Sequence, residues 1–156
     1  MIPRVGLGFD VHPFTADADR PLILGGIAIE GPGLAGHSDA DAVAHAIADA
    51  LLGAAGLGDI GTHFPDDDPA YAGANSIDLL SRVVLSVASQ HQIGNVDVTV
   101  IIEAPKLAPY RQAMEARLTD VVGAPVSVKA KRAEALGALG RREGIACLAV
   151  AVLMPR

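Results

Sequence analysis

The stretch VGLGFDVH, residues 5–12, is typical of a β-strand, and Pro13 directly after it predicts where the strand ends. A second extended segment, Leu22 to Ile29, has the pair Gly25-Gly26 at its centre, which is typical of a hairpin turn. The chain is therefore predicted to begin with β-structure.

Helices and strands are predicted to alternate after this hairpin. The first helix is expected from about Asp39 to Ala55, with Ser38 as its cap, and residues 59–73 are predicted to form a loop. The further helices are predicted at 76 to about 91 and about 109–122, and the further strands at 96–102, 126–130 and 145–154. This order predicts an α+β fold, a two-layer sandwich of one mixed sheet with helices on one face in a ferredoxin-like arrangement.

Length and composition predict one domain, residues 1–156, that associates with further copies of itself. A chain of 156 residues fits one hydrophobic core. Hydrophobic residues make up 51% of the chain, but aromatic residues only 3%, and Trp is absent. A core built from small side chains has less apolar area to bury, so we expect an oligomer in which subunit contacts add buried surface.

Charge and hydropathy exclude several kinds of partner. The formal charge is −6 and the isoelectric point about 5.2, whereas a nucleic-acid-binding protein usually carries a basic patch. The first residues lack the pattern of a signal peptide, and no apolar run reaches the ~18 residues of a membrane span. The lone Cys147 cannot form an intrachain disulfide. We therefore expect a cytoplasmic protein without nucleic-acid or membrane partners.

Three side chains form a candidate metal site. Asp10 and His12 are two residues apart on the first predicted strand, so their side chains project from one face about 6.6 Å apart. His45 lies in the middle of the first predicted helix, and Asp49, one turn further on, is expected to accept the second ring N–H of His45. Three such ligands with a vacant fourth position are typical of catalytic zinc or another divalent transition metal. The alternatives are a solvated strand end for Asp10 and His12, and a packing role for His45.

The longer motifs around these residues resemble one enzyme family. They are GFDVH at 8–12, GHSDADAVAH at 36–45 and DALLGAAGLGDIG at 49–61, followed by shorter matches at 64–66, 94–98, 104–106 and 140–146. This series is similar to the signatures of the 2-C-methyl-D-erythritol 2,4-cyclodiphosphate synthase family. The resemblance implies a phosphorus–oxygen lyase of the non-mevalonate isoprenoid pathway, a homotrimer whose active sites lie between subunits and use Zn²⁺ together with Mg²⁺ or Mn²⁺. Its substrate would be 4-diphosphocytidyl-2-C-methyl-D-erythritol 2-phosphate, which is cyclised with release of CMP.

The resemblance also implies a role for individual residues. Asp10, His12 and His45 would hold zinc, Glu134 would hold magnesium, and His37 would be catalytic. Arg132 stands where the family has a catalytic threonine and is expected to take over its role. The remaining residues implied in substrate binding are Ser38, Asp59, Ile60, Gly61, Phe64, Pro65, Asp66, Asp67, Asp68, Ala104, Pro105, Lys106, Leu107, Lys131 and Arg141.

Two segments depart from the family pattern. Residues 131–133 are Lys-Arg-Ala where the family has three threonines, and Ala138 replaces a phenylalanine. An arginine can bind phosphate oxygens more strongly than a hydroxyl group, so activity can survive this change. The departures leave two alternatives open, a zinc-dependent phosphoesterase and a non-catalytic module that binds cytidine nucleotides or isoprenoid diphosphates.

Overall fold

The computed structural model describes residues 1–156 as an α+β fold built on one mixed sheet. The sheet has four strands in the order β1-β6-β4-β5, in which β6 is antiparallel to both neighbours and β4 is parallel to β5. A separate two-stranded sheet pairs β2 with β3. The elements are β1 Arg4–Pro13, β2 Leu22–Leu24, β3 Ile27–Ile29, α1 Ala42–Ala55, α2 Ile60–His63, a 3-10 helix Pro69–Tyr71, α3 Ser76–Ala88, β4 His91–Ile101, α4 Arg111–Val122, β5 Val126–Lys131, α5 Gly137–Gly140 and β6 Gly144–Pro155. The predicted α+β class and mixed sheet are confirmed.

The start of α1 differs from the prediction, because Asp41 and not Ser38 caps this helix. The Asp41 carboxylate accepts a hydrogen bond from the backbone N–H of Ala44, and it also accepts from Gly25 and Gly26 in the hairpin turn. This carboxylate is completely buried, and the three N–H groups compensate for its lost hydration. Asp41 therefore ties the β2–β3 hairpin to the beginning of α1, an anchor that a helix-capping pattern does not reveal.

Other boundaries also differ. The segment predicted as a loop at 59–73 contains α2 and the 3-10 helix, which are capped by the carboxylates of Asp59 and Asp68. Strand β4 begins at His91 instead of residue 96, because its first residues pair with the end of β6. Helix α3 accordingly ends at Ala88, and α5 forms where no helix was predicted.

Helix α1 packs with its backbone directly against two glycines of β1. A Cβ atom built on Gly8 would lie 1.8 Å from the carbonyl oxygen of Ala46, and one built on Gly6 would lie 1.9 Å from that of Ala50. No larger residue fits at either position while the helix keeps its place. The glycines of β1 and the alanines of α1 thus let the helix lie directly on the strand and bring His45 towards Asp10.

The sheet face opposite the helices carries uncovered apolar side chains. Every second residue of β1 points to this face, and Val5, Leu7, Phe9 and Val11 are 66%, 65%, 55% and 51% exposed. Such a contiguous apolar surface is typical of an interaction site. None of the helices is both long enough and apolar enough to cross a membrane.

We expect Gly8→Ala to destabilise the fold by about 1–3 kcal/mol, because the added methyl group must push α1 away from β1. The matched control is Gly53→Ala, since Gly53 is exposed on the same helix with no neighbouring atom within 4 Å of an added Cβ. This control should stabilise the helix by about 0.5–1 kcal/mol. Urea unfolding measures both changes, and a Gly8→Ala variant as stable as the parent would contradict the close approach.

Candidate active site

Three of the predicted ligands converge at the end of β1 and the middle of α1. His12 Nε2 lies 2.8 Å from Asp10 Oδ2, and His45 Nδ1 lies 3.1 Å from the same oxygen. One ligand atom from each of Asp10, His12 and His45 lies within 4.8 Å of the other two. The three side chains are partly buried. They are arranged to share one divalent ion, as the spacing in the sequence predicts.

The His12 ring is oriented for metal binding by its second nitrogen. His12 Nδ1 lies 2.8 Å from the carbonyl oxygen of Ala35, to which it can donate a hydrogen bond. This bond leaves the lone pair on Nε2, which is buried and not aligned for a hydrogen bond in spite of its proximity to Asp10. A buried ring nitrogen without a partner and beside a carboxylate fits a site for a divalent transition metal.

The outer contact of His45 differs from the prediction. His45 Nε2 lies 2.8 Å from Ser76 Oγ and 3.3 Å from Ser38 Oγ, whereas Asp49 accepts a hydrogen bond from the backbone N–H of Ile60. The prediction that Asp49 accepts from His45 is therefore wrong. Asp49 holds the beginning of α2, and buried Ser76 at the start of α3 orients the imidazole so that Nδ1 faces Asp10.

Asp10 and His12 alter the ionisation of each other, and His45 adds to the effect on Asp10. Burial acts to raise the pKa of Asp10, but the imidazoles of His12 and His45 outweigh it and lower the pKa to about 2. Burial acts to lower the pKa of His12, but attraction to Asp10 outweighs it and raises the pKa above 6.5. The metal-free site therefore holds a charged carboxylate beside an imidazole that binds its proton more tightly than usual.

A cleft of about 370 Å³ opens beside these ligands. Gly36, Tyr71 and Leu79 complete its walls. The predicted site residues that line it are Asp10, His12, His37, Ser38, His45, Ile60, Gly61, Phe64 and Asp66. The structure thus gathers both imidazole ligands, the predicted catalytic histidine and part of the predicted substrate loop around one opening.

Four residues of the predicted substrate segment do not line this cleft. The Asp59 carboxylate caps α2 by accepting hydrogen bonds from the N–H and hydroxyl groups of Thr62. Asp68 caps the 3-10 helix, and its carbonyl oxygen lies 2.9 Å from His37 Nε2. Pro65 and Asp67 also lie outside the cleft lining. Asp59 and Asp68 thus shape the segment that forms the cleft wall.

Five of the remaining predicted residues line a second opening. Pro105, Lys106, Leu107, Lys131 and Arg132 line a groove of about 220 Å³ between β5 and the segment that follows β4. Three of these five side chains are cations, whereas Glu103, paired with Arg132, is the one carboxylate of the lining, so the groove has a positive balance of charge suited to an anionic ligand.

Three further predicted residues do not line this groove. Ala104 lies with Pro105 in a neighbouring depression. Arg141 pairs with Glu143 at 2.7 Å on the surface. Glu134 is exposed, has a left-handed backbone with φ 53°, and makes no ion pair.

The two openings lie at one end of the sheet but at opposite edges. His12 of β1 pairs with Ile145 of β6. The next residue of β6, Ala146, pairs with Ile101 of β4, which in turn pairs with Lys131 of β5. Three strand spacings of about 4.8 Å separate β1 from β5, so the metal ligands and the cationic groove are roughly 14 Å apart across the sheet. Each chain thus carries the candidate metal ligands at one edge of the sheet and the cationic groove at the other.

Sequence analysis missed two polar residues of this region, Ser76 and Glu103. Ser76 was predicted only as the first residue of a helix, and no local pattern indicates that it contacts His45 from another element. Glu103 directly follows the strand predicted at 96–102 and received no role, although its carboxylate lies 3.2 Å from the guanidinium of Arg132. The parallel pairing of β4 with β5 could have indicated this second contact, because the ends of parallel strands meet.

Comparison with known proteins finds close relatives over almost the full chain. The model of the YgbB family matches residues 3–154. A protein of Symbiobacterium thermophilum named 2-C-methyl-D-erythritol 2,4-cyclodiphosphate synthase is 54% identical, over 97% of this chain and 99% of the relative.

Two solved structures extend the similarity to the fold. The bifunctional IspDF of Campylobacter jejuni is 40% identical with a TM-score of 0.94, and the match covers 99% of this chain and 43% of the bifunctional chain. The IspF of Plasmodium falciparum, solved as a CDP complex, is 35% identical with a TM-score of 0.86, over 99% and 97% of the two chains.

We expect His45→Ala to lose the bound divalent ion while the fold is retained, because His45 supplies one of three ligand atoms and lies outside the apolar core. The control is His63→Ala, since His63 is exposed and its ring contacts only the carbonyl oxygen of Leu57 among hydrogen-bond partners. Metal analysis after dialysis against zinc, with circular dichroism, checks both. Stoichiometric metal in His45→Ala would show that the ligand assignment is wrong.

The pKa of His12 predicts that metal binding depends on pH. Because this pKa is raised, the Asp10–His12 attraction stabilises the metal-free fold fully below 6.5 and is lost as the pH rises through the raised value. A divalent ion must displace the same proton, so its affinity should increase with pH over this window. Calorimetric titration with Zn²⁺ in buffers of different ionisation enthalpy should detect more protons released at about pH 6.5 than at about pH 8.5. Equal proton release at both values would contradict the pairing.

Proposed function

We infer the function of this site from its family, because the chain belongs to the YgbB family. Its function is that of its 2-C-methyl-D-erythritol 2,4-cyclodiphosphate synthase relatives, an enzymatic step of isoprenoid biosynthesis. The relatives favour this function over the phosphoesterase and the non-catalytic binding module that the sequence alone left open.

The proposed reaction is an intramolecular phosphoryl transfer in 4-diphosphocytidyl-2-C-methyl-D-erythritol 2-phosphate. An oxygen of the 2-phosphate forms a bond to the β-phosphorus, the bond from this phosphorus to the bridging oxygen breaks, and CMP leaves with the electron pair. Elimination of CMP makes the enzyme a phosphorus–oxygen lyase. Both reacting groups belong to the substrate, so the protein supplies positioning and charge stabilisation and no nucleophile.

The residues present fit two divalent ions. Asp10, His12 and His45 offer mixed oxygen and nitrogen ligands without thiolate, a set that suits Zn²⁺. Glu134 offers one carboxylate, and Mg²⁺ or Mn²⁺ commonly binds to one protein carboxylate together with the phosphate oxygens of a substrate. Such ions supply Lewis-acid polarisation of phosphoryl oxygens and neutralise the charge of the diphosphate. The observation that supports the first of these two ion sites is the convergence of one ligand atom each from Asp10, His12 and His45 within 4.8 Å.

The cleft residues are proposed to hold the reacting part of the substrate. His37 and Ser38 lie on its wall beside His45, where an imidazole and a hydroxyl group can donate hydrogen bonds to phosphate oxygens. Ile60, Gly61 and Phe64 form the less polar wall for the methylerythritol carbon chain. Asp66 lines the same cleft and can accept hydrogen bonds from its hydroxyl groups, while Asp59, Pro65, Asp67 and Asp68 shape the segment.

The cationic groove is proposed to hold the cytidine diphosphate end. Backbone groups of Ala104, Pro105, Lys106 and Leu107 would border the base, and the P. falciparum IspF relative was solved with CDP bound. Lys131 and Arg132 lie at the end of β5, where their charges can bind the two phosphates. Arg141 can reach an outer phosphate oxygen once it leaves Glu143. Arg132 is thereby proposed to perform the task of the family's threonine.

Assembly as a homotrimer would complete the site. In one chain, the metal ligands and the groove lie at opposite edges of the sheet. A substrate that contacts both would therefore bind between two copies, where the β1 edge of one lies beside the β5 edge of the next. The uncovered apolar face of β1 supports such packing, because its exposed valine, leucine and phenylalanine side chains would be buried between copies. We propose this trimer, with a ferredoxin-like arrangement of helices and sheet within each subunit, and a cytoplasmic location for the enzyme.

The decisive assay follows products from the diphosphocytidyl substrate with the zinc-loaded protein and Mg²⁺. We expect CMP and the cyclic diphosphate in equal amounts, and His45→Ala should form neither because the phosphoryl oxygens lose their Lewis acid. Phosphorus NMR distinguishes the cyclic product. Inorganic phosphate or a free alcohol would instead indicate a phosphoesterase, and tight cytidine-nucleotide binding without turnover would indicate a binding module.

A further inference from the structure

A buried carboxylate lies where β4 and β5 end side by side. The parallel register pairs Ile101 with Lys131, and the N–H of Ile102 donates to the Lys131 carbonyl oxygen at 2.8 Å. The next residues on the two segments are Glu103 and Arg132, and the Arg132 Nη2 lies 3.2 Å from Glu103 Oε2. The ion pair therefore links Glu103, directly before the residues 104–107 that are proposed to border the cytosine base, to Arg132, two residues before Glu134.

The two partners of this pair have opposite surroundings. The Glu103 side chain is only 3% exposed, whereas that of Arg132 is 63% exposed. The second carboxylate oxygen, Glu103 Oε1, is buried without a hydrogen-bond partner, so Arg132 is the one side chain that neutralises it. A buried carboxylate holds its cation firmly, because losing the partner would leave an unpaired charge away from water.

The backbone after Arg132 contributes to the same environment. Burial acts to raise the pKa of Glu103, but Arg132 and the nearby N–H groups of Ala133 and Ala135 outweigh it and lower the pKa. Glu134 and Ala135 have left-handed backbones, with φ of 53° and 60°, so the chain turns sharply directly after this contact. Glu134 itself makes no ion pair, although an arginine stands two residues before it.

We propose that Glu103 is a positioning residue whose carboxylate binds Arg132 and thereby keeps this cation away from Glu134, so that Glu134 stays free for the second divalent ion. This inference rests on the proposed metal-binding role of Glu134. A free guanidinium two residues from Glu134 would pair with its carboxylate and would repel a divalent cation. Glu103 prevents both effects and still leaves most of the exposed guanidinium accessible to phosphate.

The pairing explains how the chain can carry a cation two residues before the carboxylate of Glu134. A threonine there needs no counter-ion, whereas an arginine adds a positive charge beside a cation site. The buried acid at the end of β4 compensates for that charge. Glu103 and Arg132 should therefore be coupled, and the need for Glu103 should disappear when Arg132 is replaced by threonine.

The test measures how strongly Mg²⁺ tightens the binding of CDP to the zinc-loaded protein, by calorimetry with and without Mg²⁺. In Glu103→Gln we expect this Mg²⁺ effect to fall by about fivefold or more, a change of the size typical for linked binding sites. Binding of CDP without Mg²⁺ should be equal or tighter, because the released Arg132 can pair with phosphate. Glu103→Gln/Arg132→Thr should recover the Mg²⁺ effect. Asp120→Asn, which removes an exposed carboxylate from α4, should behave as the parent.

Each result has a separate meaning. A Glu103→Gln variant that keeps the Mg²⁺ effect while Glu134→Gln loses it would overturn the role of Glu103 and leave the proposed function intact. Glu134→Gln with an unchanged Mg²⁺ effect would instead refute the magnesium site. Weaker CDP binding both with and without Mg²⁺ in Glu103→Gln, together with a loss of the Mg²⁺ effect that Glu103→Gln/Arg132→Thr does not recover, would show that Glu103 only supports the local structure and would overturn the proposal.

Discussion

The close contact of α1 with β1 is the constraint on which the candidate active site depends. Gly6 and Gly8 leave no side chain between the strand and the helix, and the carbonyl oxygens of Ala50 and Ala46 occupy the space where Cβ atoms would lie. The helix therefore lies low enough for His45 Nδ1 to come within 3.1 Å of Asp10 Oδ2. An alanine-rich core with few aromatic side chains follows from the same geometry, because close backbones leave little volume between them.

Buried polar groups then set the orientation of what this contact brings together. Asp41 ties the hairpin to α1 through three backbone N–H groups, and Ser76 and the Ala35 carbonyl oxygen orient the two histidine rings. At the opposite edge of the sheet, Glu103 binds Arg132. The chain thus presents the candidate metal ligands and the cationic groove at opposite edges of one end of the sheet, a division that the proposed trimer would resolve by placing edges of neighbouring copies together.

Sequence analysis predicted what depends on local pattern and on ligand chemistry. The strands and long helices, the hairpin at Gly25-Gly26 and the convergence of Asp10, His12 and His45 are confirmed, because period, turn residues and ligand types are visible along the chain. The errors involve contacts between elements. Ser38 was predicted as a helix cap and Asp49 as the partner of His45, since both lie at suitable spacing, but Asp41 and Ser76 fill these roles. Residue spacing within α1 cannot indicate that Ser76, at the start of α3, takes the place beside His45 that was predicted for Asp49.

The most direct test of the metal site is an anomalous diffraction map of crystals grown with Zn²⁺, recorded on both sides of the zinc absorption edge. Our account predicts one strong peak in each chain, bonded to a carboxylate oxygen of Asp10, to Nε2 of His12 and to Nδ1 of His45. A zinc peak elsewhere, or a structure in which these three side chains bind no common ion at full zinc loading, would contradict it.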